Sequence, residues 1–70
     1  MLLYDLGVLL DDMGRKGEAM AAYQAALRDD PQFADCHYNV GLLCEDLGRP
    51  REAIRHLAEY RRLTASTRRR

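Results

Sequence analysis

Few residues in this chain are of the types that do chemistry: two cysteines, Cys36 and Cys44, two histidines, His37 and His56, and 11 acidic side chains. Thiol catalysis requires a thiolate beside a base, and metal binding requires three or four donors at one point. Cys36 and Cys44 fall eight residues apart in what reads as one helix, about 12 Å along its axis, so they do not pair with each other. His37 and Cys44 are seven residues apart and have no third donor, which leaves a surface histidine and a core cysteine as the simpler reading. His37 and His56 read as isolated. CxxC, HExxH, a nucleophile elbow and a phosphate-cradling glycine loop are all missing from the sequence, so the expectation is no catalytic residue, no cofactor and no metal.

The elements that would carry any site come from a chain of 70 residues, with 11 Lys and Arg balancing 11 Asp and Glu. That length supports one small domain, and chains this short bury too little surface to be very stable alone. No apolar stretch approaches the roughly 20 residues of a membrane span. Met1-Leu2-Leu3-Tyr4-Asp5 lacks the basic start and long apolar stretch of a secretory signal, so a cytoplasmic protein without membrane contact is expected.

Overlaying the chain on itself with a 34-residue shift brings residues 4–19 onto 38–53, and eight of those 16 pairs are identical. They are Tyr4/Tyr38, Gly7/Gly41, Leu9/Leu43, Asp12/Asp46, Gly14/Gly48, Arg15/Arg49, Glu18/Glu52 and Ala19/Ala53. The chain is two copies of one unit. In the first copy Leu2, Leu6, Leu9, Leu10 and Met13 recur at helical spacing and stop at Gly14. Met20, Tyr23, Ala26 and Leu27 form a second stripe that ends before Pro31. The second copy repeats this with Val40, Leu43, Cys44 and Leu47 before Gly48, then Ala53, Ile54, Leu57 and Tyr60 after Pro50, which suits a first helical turn. The spacing predicts helices over roughly 2–13, 17–29, 35–47 and 51–64, with repeats over about 1–33 and 34–67, a frayed end from Ala65 and a basic tail at 68–70.

These residues resemble the tetratricopeptide repeat, a 34-residue unit with the pattern W-x2-L-G-x2-Y…A-x3-F…P. The pattern falls on Leu3, Leu6, Gly7, Leu10, Ala19, Tyr23 and Pro31, with Ala26 at a small-residue position, and again on His37, Val40, Gly41, Cys44, Ala53 and Leu57. Tyr60 and Ala65 depart from it where the first copy has Ala26 and Pro31. The resemblance implies an all-α fold, an α-solenoid of two helix-turn-helix hairpins with right-handed superhelical stacking. A helix-interior glycine costs roughly 1 kcal/mol against alanine. Gly7 and Gly41 are therefore expected to lie under a close helix crossing, against Ala19 and Ala53 respectively.

Ala21, Ala22, Ala25, Ala26 and Leu27 of the first copy become Arg55, His56, Glu59, Tyr60 and Arg61 in the second. The last helix accordingly reads as a charged, solvating cap, as the ends of repeat arrays require. At the other end Leu2, Leu6 and Leu9 form a stripe that would meet a preceding repeat, just as Cys36, Val40 and Leu43 should meet the helix over 17–29. The expectation is the C-terminal end of a longer array, or a chain that covers this stripe by association, as a two-fold homodimer first. Head-to-tail stacking comes second, since an acidic groove end and a basic tail attract but burying Arg55, Glu59 and Arg61 costs desolvation.

Members of the family line a concave groove with the first helix of each repeat. By that resemblance and helical phase the groove residues are Tyr4, Asp5, Val8, Asp11 and Asp12, then Asp35, Tyr38, Asn39, Leu42, Glu45 and Asp46. This face is acidic with two tyrosines and carries no Lys or Arg. Only Asn39 has a counterpart in the carboxylate clamp by which some members hold acidic C-termini, so that function is not expected. Residues 1–48 carry nine acidic and three basic side chains, whereas residues 49–70 carry two and eight. A basic protein or peptide partner suits the first part. The arginines of the second part have no interleaved aromatics and no nucleic-acid motif, so a nucleic-acid partner is not expected. Two classes of function follow: a protein-protein interaction module that binds a peptide in the acidic groove, or a structural element whose role is oligomerisation. The sensing arm of a larger regulator is a variant of the first.

Overall fold

Two successive hairpins account for the chain, one ending at Pro31 and one beginning at Gln32. They are seen in a computed structural model that describes residues 2–68, with side chains through Ala65. The helices are α1 (Leu2–Asp12), α2 (Lys16–Asp29), α3 (Ala34–Asp46) and α4 (Pro50–Arg68). α1 packs on α2, and α3 on α4. Among the described residues all regular structure is helical, so the protein is all-α and built of helical hairpins.

The turns are local products of sequence. Gly14 takes φ +80° and Gly48 φ +74°, a conformation in which a Cβ would crowd the following carbonyl. With glycine there, the Gly14 N–H donates to the Asp11 carbonyl at 2.9 Å and the Arg15 N–H to the Leu10 carbonyl at 2.9 Å. Gly48 to Glu45, at 3.1 Å, and Arg49 to Cys44, at 2.8 Å, reproduce the pair. This double closure is the Schellman motif, which satisfies carbonyls that a helix end would otherwise leave unpaired. The next helix starts two residues later in each hairpin. Glu18 and Glu52 stand in the first turns of α2 and α4, favoured there by the positive end of the helix dipole. They also pair with Arg15, at 2.5 Å, and with Arg49, at 3.7 Å.

In the first hairpin Ala19, Met20, Ala22, Tyr23 and Ala26 of α2 are buried, as is Gly7 of α1. The space left by Gly7 is filled by the Tyr23 ring, whose Cδ1 and Cε1 lie 2.5 Å from where a Cβ would stand. The expected pairing with Ala19 is therefore corrected: a large flat ring, rather than a second small residue, occupies the gap. Burying that ring contributes roughly 1.5–3 kcal/mol. In the second hairpin Leu57 takes the corresponding place, with its Cγ and Cδ2 2.7 Å from a Gly41 Cβ and the Ala53 carbonyl at 3.4 Å. Ala53 thus contributes its backbone to that crossing, and Leu57 supplies the side chain. Cys36, His37, Val40, Leu43, Cys44 and Ala53 are buried in this hairpin.

α4 runs on to Arg68, past the expected end near residue 64. The segment Ala65-Ser66-Thr67 lacks an apolar stripe, but its backbone continues the helix, and the Thr64 hydroxyl donates back to the Tyr60 carbonyl at 2.9 Å. Of the basic tail, Arg69 and Arg70 lie outside the described residues.

Candidate functional site

The first-helix face of each hairpin is considered separately. On α1, Asp5 and Asp12 are exposed, while Tyr4, Val8 and Asp11 are half-buried. The Tyr4 ring is drawn onto Tyr23, with centroids 5.9 Å apart. Lys16, from the start of α2, places Nζ 3.4 Å from Asp11 Oδ1. A lysine from the neighbouring helix thus reaches one of the three carboxylates of α1, although no Lys or Arg stands on α1 itself.

On α3, Asp35, Tyr38, Leu42, Glu45 and Asp46 are exposed and Asn39 is half-buried. Asp35, Tyr38, Leu42 and Glu45 follow each other at three- and four-residue spacing and so share one side of the helix. Tyr38 and Leu42 are each 41% exposed, an apolar pair one turn apart with carboxylates beyond both ends. Tyr60 of α4 supports the Tyr38 ring from behind, with centroids 5.0 Å apart and planes tilted by 46°. Tyr60 is the residue that departs from the repeat pattern, and its ring braces the aromatic on the face.

The histidines are not isolated, and His37 is not at the surface. His37 is buried, and its Nδ1 lies 3.1 Å from His56 Nδ1 across the α3–α4 contact. One Nδ1 carries the hydrogen and donates while the other accepts. Burial, then the charge of His37, then that of Arg55 hold the His56 pKa below its usual value, against the opposing pull of Glu52 and Glu59. A signal was present in the repeat register: His37 stands where the first copy has Leu3, and His56 where it has the buried Ala22. Both positions, on the facing sides of one hairpin, carry histidine in the second copy and an apolar residue in the first.

The thiols are shielded. Cys36 is fully buried, and burial pushes its pKa up to about 11. Cys44 is raised chiefly by burial and then by Glu52, whose Oε1 accepts from its Sγ at 3.8 Å. A thiolate nucleophile needs the opposite environment. Among the described residues no group of three or more His, Cys, Asp and Glu is placed to hold a metal ion, and no helix is long and apolar enough to cross a membrane.

Leu2, Leu6 and Leu9 are 86%, 45% and 56% exposed. The outer side of α4 is less uniformly polar than expected of a solvating cap, since Ile54 is 68% exposed where its first-copy counterpart, Met20, is 6% exposed.

A comparison with curated proteins finds no match to this chain. The family model described as "Tetratricopeptide repeat" matches residues 4–66, a span that takes in both hairpins, both Schellman turns and both glycine crossings. Repeats of this kind are in general protein-interaction modules and non-catalytic scaffolds. The chain belongs to the tetratricopeptide repeat family.

Proposed function

We propose that the chain holds a short extended segment of a partner protein, apolar with flanking basic residues, on the first-helix face of a hairpin, that of α3 foremost. The observation that carries this is the α3 face, where Tyr38 and Leu42 stand exposed between Asp35 at one end and Glu45 and Asp46 at the other. An exposed aromatic packed against a second ring supplies contact area, and surrounding carboxylates select cationic flanks. Asp5 and Asp12 give the α1 face, taken by itself, the same preference for a basic partner.

Fluorescence anisotropy with a labelled peptide of alternating Lys or Arg and Leu residues tests this reading. The area available suits affinity of roughly micromolar class. Binding should weaken with added salt, because attraction between exposed charges is screened over roughly 8 Å at physiological ionic strength. Tyr38→Ala should weaken it at constant salt, and the triple variant Asp12→Lys, Glu45→Lys, Asp46→Lys should abolish it. An acidic peptide of the same length that binds equally well, or undiminished binding by the triple variant, would show that these faces do not receive the partner.

A second reading, self-association through Leu2, Leu6 and Leu9, is favoured by their exposure beside the burial of their counterparts Cys36, Val40 and Leu43. Large apolar patches on small proteins mark association surfaces.

A further inference from the structure

We infer that the Leu2–Leu6–Leu9 face of α1 receives the outer face of α4 from a second copy of this chain, so that copies associate head to tail. This rests on the self-association reading and specifies its partner surface.

Repeat symmetry supplies the first argument. Each of the two helices exposes apolar side chains at positions that the other copy of the repeat buries, the leucines on α1 and Ile54 on α4. At these positions the repeat pattern supplies an apolar residue that is packed in one copy and left exposed in the other among the described residues.

Charge identifies the cover. α1 contains three aspartates and no Lys, Arg or His, and by helical phase Asp5 and Asp12 run along one edge of the leucine stripe. The two-fold pairing of α1 with α1 expected from sequence sets acid beside acid with no base on either helix. The outer side of α4 has the opposite composition. Ile54, Ala58, Arg61 and Ala65 recur at three- and four-residue spacing, with Arg51 and Arg55 alongside, and all six are exposed. Arginines bordering Ile54 meet aspartates bordering Leu6.

Bulk is complementary as well. α1 offers leucines, while α4 offers alanines and a shallow hollow of about 370 Å³ lined by Ala58, Arg61, Arg62 and Ala65. Docking does not strand the guanidinium groups in an apolar interior. Their long stems cover apolar surface while the charged heads stay at the wet edge, where the aspartates are, which limits the desolvation that a buried ion pair incurs. A contact between two different faces leaves one of each open at the ends and continues to grow or closes into a ring.

Light scattering on the chromatographed 70-residue chain, with Leu6→Glu and Ile54→Glu studied singly and mixed, tests the pairing. The unsubstituted chain should grow past a dimer with concentration. Each variant alone should be monomeric, and an equimolar mixture should form a one-to-one dimer that grows no further, because each supplies the face the other lacks. An Ile54→Glu variant that still dimerises alone would overturn the head-to-tail pairing while leaving self-association through α1 intact. An unsubstituted chain that stays monomeric at every concentration would overturn both. Helicity by circular dichroism accompanies each sample. Should a glutamate variant unfold, the charge reversals Asp5→Arg with Asp12→Arg, and Arg51→Asp with Arg55→Asp, lie at exposed positions and replace it. Each reversed chain alone should associate at least tenfold more weakly, and a mixture should associate again; a mixture that regains nothing would overturn the pairing.

Discussion

His37 and His56 meet through their Nδ1 atoms at 3.1 Å, with ring centroids 5.3 Å apart, and join α3 to α4. The contact holds with one shared hydrogen and fails when both rings are cationic. The groups facing it are Glu52, Arg55 and Glu59 of α4.

The folded-state pKa of His56 lies below the ordinary value of 6.5. The unfolded chain therefore takes up the proton first as pH falls. Stability is fully present above about 6.5 and declines as pH drops from there towards the depressed folded value. Urea unfolding at pH 7.5 and pH 5.5 should show this loss. The double variant His37→Leu, His56→Ala, which restores the first copy's residues, should lose less between the two; an equal loss would remove the pair as its source.

Gly7→Ala should destabilise the protein even though alanine is the better helix former by roughly 1 kcal/mol. A new methyl would stand 2.5 Å from two carbons of the Tyr23 ring, which has no flexible end to withdraw, and overpacking of this kind costs roughly 1–3 kcal/mol. Gly41→Ala should cost less, because the nearest atoms belong to the more adaptable Leu57 side chain. Thermal unfolding of the two variants checks the order.

Gly14→Ala and Gly48→Ala meet nothing within 4 Å, so any loss comes from the positive φ alone. It should be roughly 1–2 kcal/mol at each site. Asparagine at the same positions should recover part of it, since its side chain tolerates this conformation. Denaturant midpoints for the four variants measure the difference.

Cys36, with its thiol pushed up to about 11 and no exposed surface, should react with iodoacetamide at pH 8 only when the second hairpin opens. Its labelling in native buffer should be at least tenfold slower than in urea, by the general dependence of thiol reactivity on exposure and thiolate fraction. Similar rates in the two conditions would contradict its burial.

The sequence by itself determined what depends on neighbours along the chain. The 34-residue repeat, the helical stripes, the stops at Gly14 and Gly48 and the start at Pro50 are local signals, and each has a local physical cause in side-chain period, glycine φ or proline geometry. The candidate faces on α1 and α3 came from the family resemblance combined with that period, and Tyr38 and Leu42 are exposed one turn apart on α3. Tertiary structure alone decided which distant side chains meet. Tyr23 fills the space at Gly7, Lys16 reaches Asp11, Tyr60 braces Tyr38, and His37 finds His56, 19 residues away. Helical phase gives the direction in which each residue points but not how two helices cross, and that crossing is set by the side chains packed between them. The reach of α4 to Arg68 was likewise invisible to the hydrophobic pattern, because backbone hydrogen bonding extends a helix without any apolar stripe.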